Sequence, residues 1–84
     1  MKIIFTEESW QDYLYWQEHD NRILKKINAL IKEIERPPFK GKGKPEPLKY
    51  QLKGFWSRRI DLEHRLVYAY LEEEILIISC RFHY

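Results

Sequence analysis

The chain has 84 residues, of which 44% are hydrophobic and 15% aromatic, and its net charge is +2. This length predicts a single domain, residues 1–84, and the aromatic content argues against disorder. The apolar run at residues 3–5 is too short for a signal peptide or a transmembrane span, and the one cysteine, Cys80, has no partner for an internal disulfide, so we expect a cytoplasmic protein without membrane association.

The first half of the sequence predicts a strand followed by a helical hairpin. Residues 1–5 are apolar except for Lys2 and predict a short strand, after which Thr6 is a suitable N-cap for the first helix. Asp20 or Asn21 can cap a second helix, in which apolar residues recur at helical spacing. The two prolines at 37–38 end that helix, because proline cannot continue it.

The segment that follows, residues 39–47, is rich in Gly, Pro and Lys and predicts a loop. It begins a basic stretch, since residues 37–70 carry eight Lys or Arg against three Asp or Glu, whereas the segments on either side are net acidic. Positive charge concentrated in one segment is a candidate footprint for phosphate groups. Solvated lysines in a loop are the alternative interpretation.

Four strands are predicted after the loop, at residues 48–52, 55–60, 65–70 and 75–82, the first of them on a weak pattern. The predicted fold is α+β with the order β-α-α-β-β-β-β, a mostly antiparallel sheet with the N-terminal helical hairpin packed on one face. We expect the other face to be open. Cys80 is predicted to be a small core residue of the last strand.

Metal and nucleotide cofactors are not expected. His19, His64 and His83 have no ligand-like spacing, and no second cysteine is present. The glycines at 41 and 43 precede a predicted strand and not a helix, which is the wrong context for a phosphate-binding loop. Acid–base chemistry beside phosphate-binding cations remains.

Cleaving RNA without a metal requires a base for the 2′-OH proton, an acid for the leaving 5′-oxygen, and cations for the charge on the phosphorane. Glu46 is a candidate base, since free carboxylates titrate near about 4.3 and are ionised at neutral pH. His83 is a candidate acid, since imidazoles titrate near about 6.5 and protonate more readily beside an anion. Arg59 and Arg65 carry planar guanidinium groups that match phosphate oxygens.

Each candidate also has an ordinary interpretation. Glu46 fits an exposed loop carboxylate, and the arginines fit partners for carboxylates across a hairpin. His83 and Tyr84 fit a frayed terminus, which is the usual fate of terminal residues.

Strand alternation adds a prediction about faces. In the last predicted strand one side is apolar and faces the core, and the opposite side brings Arg81 and His83 together. The apolar side consists of Leu76, Ile78, Cys80 and Phe82. Glu63 and Arg65 share a side if their strand extends back that far. Whether Arg59 lies on the same face as Arg65 depends on the length of the loop between them, which the sequence leaves open.

Four contiguous motifs cover most of the second half of the chain: GKGKPEPLK (41–49), GFWSRRI (54–60), EHRLVYAY (63–70) and CRFHY (80–84). These motifs, and the helical region before them, resemble the YoeB toxins, the Txe/YoeB group of the RelE/ParE superfamily. The resemblance implies a RelE-like fold. The departure from the family pattern is Phe82, where a tyrosine is common, and we expect this residue on the core-facing row.

The resemblance implies an activity and a set of residue roles. YoeB toxins are mRNA endonucleases of type II toxin–antitoxin systems that cut the transcript in the ribosomal aminoacyl site without a metal, leaving a 2′,3′-cyclic or 3′ phosphate and a 5′-hydroxyl. Matched motif by motif, the implied roles are general base for Glu46, general acid for His83, transition-state stabilisation for Arg65, substrate orientation for Tyr84, phosphate or substrate binding for Lys49 and Arg59, and polar support for Glu63.

The resemblance also implies partners: a YefM-type antitoxin whose tail disturbs the toxin's C-terminal residues, the ribosome with its rRNA and A-site mRNA, and a second copy in a homodimer. Two other classes of function stay open. One is a ParE-like toxin with another target, or a module that binds ribosomes without cutting. The other is an interaction protein that grips its partner through Trp10, Tyr13 and Trp16.

Overall fold

The computed structural model describes residues 1–82, so His83 and Tyr84 lie outside the described residues. Its helices are α1 (Glu7–His19) and α2 (Asn21–Ile34), and its strands are β1 (Lys2–Phe5), β2 (Glu46–Pro47), β3 (Trp56–Arg59), β4 (Arg65–Leu71) and β5 (Glu74–Ser79). A short 3-10 turn at Tyr50–Leu52 separates β2 from β3. The predicted β-α-α-β-β-β-β order is confirmed. Within the described part of the chain, neither helix has the length and apolar character needed to cross a membrane.

The five strands form one mixed sheet in the order β1-β5-β4-β3-β2. β1 runs parallel to β5, and the other neighbouring pairs are antiparallel. β4 is therefore the central strand, and β1 and β2 are the edges. The helical hairpin packs on one face of this sheet, as the predicted α+β class requires.

Side-chain caps fix where the two helices begin. At the start of α1 the Thr6 hydroxyl accepts a hydrogen bond from Ser9 N–H, and the Ser9 hydroxyl accepts one from Thr6 N–H. Asp20 ends α1 and caps α2, since its carboxylate accepts bonds from the N–H groups of Arg22 and Ile23. These bonds satisfy amides that have no partner inside the helix, which explains why the helices begin at the predicted residues.

One cluster of buried side chains joins the helices to the sheet. Its members are Trp16 of α1, Ile27, Leu30, Ile31 and Ile34 of α2, Leu66 and Tyr68 of β4, Ile75 and Ile77 of β5, and Ile60 and Cys80 just beyond their strands. Cys80 is fully buried, as predicted for a core residue, and burial raises the pKa of its thiol to about 12.

The predicted faces of the last strand are wrong for residues 75–78, although Cys80 lies on the core side as predicted. Ile75 and Ile77 are fully buried in the core cluster, so they face the helices, and Leu76 and Ile78 face the other way. Both sides of this strand are apolar, so its alternation does not distinguish them. The strand also ends at Ser79 and not at residue 82, and the chain leaves the sheet there.

The predicted strand at 48–52 is also wrong. Its place in the sheet is taken by the two residues of β2, and the chain then turns back toward β3 through the 3-10 helix. Leu48 is buried and its N–H donates to Phe55 O at 2.9 Å, which closes this turn. Pro47 has no N–H to donate to a neighbouring strand, so β2 ends there. Proline is tolerated at this position because β2 is an edge strand.

The face turned away from the helices, called the outer face below, is only partly open. Ser57 and Val67 lie on it and are fully buried, although no helix covers them. Arg65 reaches Ser57 from the neighbouring strand, since its Nη1 lies 3.4 Å from the Ser57 hydroxyl. The long side chain of Arg65 thus lies against the short side chain of Ser57, which the prediction of an open face did not include.

A buried arginine of β3 holds the loop between α2 and β2. Arg58 has no solvent exposure, and its guanidinium donates to the carbonyls of residues 37, 38, 40 and 42 at 2.8–3.2 Å. Its Nε donates to the Tyr68 hydroxyl at 3.1 Å, and its Nη1 lies 3.6 Å from Glu33 Oε1. Burial raises the pKa of Tyr68, so this hydroxyl keeps its proton, which it donates to Pro38 O.

The end of the same loop lies directly against β3. Arg59 N–H donates to Gly43 O at 2.7 Å, and a Cβ at Gly43 would come within 3.0 Å of the β3 backbone. Only glycine permits this close approach with its positive φ of 82°. The loop is therefore fixed at both of its ends before the chain reaches Glu46.

Replacing Arg58 tests whether this network holds the loop. We expect Arg58→Met to lower the free energy of unfolding by about 3 kcal/mol or more, because it removes the buried cation beside Glu33 and the donors to the carbonyls of residues 37, 40 and 42. Arg59→Met, one residue away and exposed, is the matched control and should change it by about 0.5 kcal/mol or less. Urea denaturation followed by tryptophan fluorescence measures both, and equal losses would contradict the structural role of Arg58.

Candidate functional site

Strand register brings the predicted residues of β2, β3 and β4 onto one face. Arg59 pairs with Arg65, and Glu46 pairs with Ser57. Residues that are directly opposite on paired strands share a face of the sheet. Glu46, Ser57, Arg59 and Arg65 therefore all lie on the outer face, while Arg58 lies among the helix-facing residues.

The question of Arg59 and Arg65 is settled by the loop between them. β3 ends at Arg59 and β4 begins at Arg65, so residues 60–64 form the loop and the two arginines are opposite each other. The loop is fixed by Asp61, whose carboxylate accepts hydrogen bonds from the N–H groups of Glu63 and His64 at 2.8 and 2.7 Å. Burial raises the pKa of Asp61, but these bonds outweigh it and the pKa falls below its usual value. No bulge between β3 and β4 is needed.

Glu46 and Arg65 form the central charged pair. Arg65 Nη1 lies 3.7 Å from Glu46 Oε1, and the same nitrogen lies 3.4 Å from the Ser57 hydroxyl. The Arg65 side chain is 18% exposed, whereas that of Glu46 is 61% exposed. An ion pair with one partner in solvent contributes about 1 kcal/mol or less. The carboxylate is therefore accessible and weakly held, while the guanidinium is ordered by its neighbours.

Lys49 and Glu63 lie at the edges of this arrangement. Lys49 is exposed three residues after Glu46, and residues 46–52 line a shallow depression of about 440 Å³ at the β2 edge. Glu63 is exposed in the loop before β4, with its Oε1 3.5 Å from His64 Nε2. β4 begins at Arg65 and does not extend back to Glu63, so the condition for a shared strand face is not met.

The candidate acid His83 and its neighbour Tyr84 lie outside the described residues. The segment that leads to them is described, and it corrects two predictions. Arg81 does not extend along the outer face, because its guanidinium lies over the ring of Tyr15 in α1 at 3.4 Å. Phe82 is not part of a core-facing row but is 50% exposed, with a positive φ of 63°. Both differences follow from the end of β5 at Ser79.

Three residues of the structure were not predicted to matter. Ser57 orients Arg65, Arg58 fixes the basic loop, and the buried ring of His64 accepts a hydrogen bond from Phe82 N–H at 2.7 Å. For Arg58 a signal exists in the sequence, since adjacent arginines in a strand must point to opposite faces. For Ser57 and His64 we find no such signal. In residues 1–82, the His, Cys, Asp and Glu side chains form no group of three that could hold a metal ion.

Comparison with known proteins places this geometry in a family. Residues 5–84 match the model of the YoeB-like toxin of bacterial type II toxin–antitoxin systems. Toxin YoeB of Escherichia coli strain K12 is 68% identical over the full length of both chains. A YoeB/ParE toxin from Agrobacterium tumefaciens superimposes with a TM-score of 0.96 at 51% identity, with full coverage of both chains.

YoeB of Staphylococcus aureus has been solved both as a dimer and in a heterotetrameric complex with YefM. Each superimposes with a TM-score of 0.94 at 47% identity, over all of this chain and 98% of the other. Similarity of this extent shows membership and not only a shared fold. The chain belongs to the YoeB-like toxins of bacterial type II toxin–antitoxin systems.

Proposed function

We propose that this toxin is a ribosome-dependent mRNA endonuclease that cuts the transcript in the ribosomal A site and thereby inhibits translation. The observation that carries the proposal is the pair of Glu46 and Arg65, whose Oε1 and Nη1 lie 3.7 Å apart on the outer face. A solvent-accessible carboxylate beside an ordered guanidinium is the combination that a metal-independent attack by a 2′-OH requires. Arg59 directly opposite Arg65 adds a second phosphate ligand.

In the proposed reaction Glu46 takes the proton from the 2′-OH. The 2′-oxygen then bonds to phosphorus, the bond from phosphorus to the 5′-oxygen breaks, and His83 donates a proton to that leaving oxygen. The products are a 2′,3′-cyclic phosphate, which water can open to a 3′ phosphate, and a 5′-hydroxyl. Atoms and charges balance without a metal or another cofactor.

The two arginines have different roles in this mechanism. Arg65 is held by Ser57 and Glu46 and is mostly buried, so it is preorganised for the charge that develops on the phosphorane. Arg59 is exposed, and it binds a phosphate before and during the reaction alike. Lys49 contributes charge at the β2 edge, Glu63 gives polar support, and Tyr84 orients the substrate.

The proposal includes the partners that control such a toxin. The solved complex of the Staphylococcus aureus relative contains YefM, and its toxin is also known as a dimer. For this chain we propose inhibition by a YefM-type antitoxin, self-association as a homodimer, and action in the cytoplasm, where translating ribosomes are found. The basic stretch 37–70 provides charge suited to ribosomal RNA.

Cleavage of a defined transcript tests the acid and the base. Purified protein is added to ribosomes translating one mRNA, and transcript ends are mapped by primer extension. Glu46→Gln and His83→Gln should each slow cutting by about 100-fold or more, because general acids and bases contribute about 10²–10⁴-fold. Glu72→Gln, at the hairpin tip at the other end of β4, is the matched control and should cut like the wild type. Intact transcripts with wild-type protein that still binds ribosomes would favour the non-cleaving alternative.

Single-turnover kinetics can distinguish the proposed roles of Arg65 and Arg59. Arg65→Met should lower the maximal cleavage rate by about 100-fold, because it removes an ordered donor to the transition state. Arg59→Met should mainly raise the ribosome concentration needed for half-maximal rate, because an exposed cation binds ground state and transition state alike. If both variants change only that concentration, Arg65 binds substrate without stabilising the transition state.

A further inference from the structure

The chain beyond β5 is bound to the body of the protein residue by residue. Cys80 N–H donates to Asp12 Oδ2 at 3.1 Å, and Trp16 Nε1–H donates to Cys80 O at 2.9 Å. Arg81 lies over Tyr15. Helix α1 thus holds the first part of this segment, residues 80–81.

The last described residue, Phe82, is held by the start of β4. Its N–H donates to His64 Nδ1 at 2.7 Å, and its carbonyl accepts from Arg65 N–H at 3.2 Å. Two successive residues of the chain therefore satisfy both backbone polar groups of Phe82. These bonds hold Phe82 in the left-handed region, with φ at 63°, which costs a residue with a side chain about 1–2 kcal/mol.

The acceptor on His64 is itself fixed in place. The ring is 7% exposed and packs edge-on against Trp16, with the ring centroids 4.7 Å apart. The His64 main chain is held by Asp61 and by Ile60, whose N–H donates to His64 O at 2.9 Å. Because Nδ1 accepts the bond from Phe82, the neutral ring carries its proton on Nε2, on the side of Glu63. A histidine with this burial and a hydrogen bond to a residue 18 positions away is placed to hold the segment that it contacts.

We infer that His64 is a positioning residue for the C terminus, fixing the point from which the candidate acid His83 begins. The Phe82 carbonyl belongs to the peptide bond that joins Phe82 to His83, and it is bonded to the backbone of Arg65. The side chain of that same Arg65 lies 3.7 Å from Glu46. His64 and Arg65 therefore couple the start of the terminal pair to the residue beside the candidate base. This inference rests on the proposed function, in which His83 is the acid.

Substitutions at His64 can separate the hydrogen-bond acceptor Nδ1 from the packing of the ring against Trp16. His64→Phe keeps an aromatic ring against Trp16 but has no acceptor for Phe82 N–H. His64→Asn is smaller, yet its Oδ1 lies about where Nδ1 is in histidine. His64→Gln places its acceptor at the Nε2 position, so it serves as a second variant without the Nδ1 acceptor if His64→Phe fails to fold. If His64 has a purely structural role, the cleavage activity of the variants should follow their stability. If His64 positions the C terminus, activity should be retained only in variants that keep an acceptor for Phe82 N–H.

Two measurements on the full-length protein test the inference. Hydrogen exchange of the Phe82 amide, followed by NMR, should be slow in the wild type and in His64→Asn and at least about 10-fold faster in His64→Phe. In single-turnover cleavage on ribosomes, His64→Phe should lower the maximal rate about 10-fold or more without changing the half-saturating ribosome concentration. His64→Asn should restore most of that rate, although its unfolding midpoint will be lower than that of His64→Phe.

Several results would overturn the inference. The Phe82 amide could stay protected in His64→Phe, or exchange could accelerate while the cleavage rate stays at the wild-type value. Activity that follows the unfolding midpoints of the variants, with His64→Asn the least active, would also refute positioning. Failure of the proposed function looks different, because a wild-type protein that cuts no transcript overturns the nuclease proposal whatever the exchange of Phe82.

Discussion

The buried guanidinium of Arg58 is the constraint on which the rest of the site depends. A charged group without water must find an acceptor for each of its donors, and here most of the acceptors are backbone carbonyls of residues 37–42. That loop is rich in Gly, Pro and Lys and has few apolar side chains to anchor it. The buried guanidinium therefore holds this loop in place through hydrogen bonds, whereas other segments of the chain are held by apolar contacts with the core. The loop's path is therefore fixed by its backbone, which leaves its lysine side chains in solvent.

The adjacent arginines of β3 have different roles because successive side chains of a strand point to opposite faces of the sheet. Arg58 points to the helix side and holds the loop, while Arg59 points to the outer face and stays exposed. The backbone of Arg59 also binds Gly43, so both residues tie the loop to the same strand. A shift of one residue in this register would bury Arg59 and expose Arg58, and the loop and the outer face would fail together.

The sequence predicts the fold largely because its helices carry strong signals. The helical hairpin is located by the caps at Thr6 and Asp20 and by the spacing of apolar residues in α2. The antiparallel strands are located by the turn-like acidic segments between them. The sequence fails where two structures satisfy the same pattern. Residues 48–52 alternate weakly but turn, because the chain must return to pair as β3. The faces of β5 are reversed, because both of its sides are apolar and only the helices decide which is the core side.

For the candidate site, the motifs name candidate residues but do not give their geometry. The motifs single out Glu46, Arg59 and Arg65, but their common face depends on a loop length that follows from the Asp61 turn. The path of residues 80–82 was predicted as strand, yet Asp12, Trp16 and His64 bind it away from the sheet. These bonds join residues far apart in sequence, and no local periodicity encodes them.

Arg65 is the junction of these elements, since its side chain and its backbone have separate partners. The guanidinium faces Glu46 and Ser57, and the N–H binds the carbonyl of Phe82. The first residue of the central strand thus touches the edge strand that carries the candidate base and the segment that leads to the candidate acid. Because β4 pairs on both sides and is the most buried strand, it is the least deformable element of the sheet. Because Arg65 belongs to this strand, β2 and the segment 80–82 are both held against the same rigid element. Neither β2, which is short and exposed, nor the end of the chain could be fixed in this way by itself.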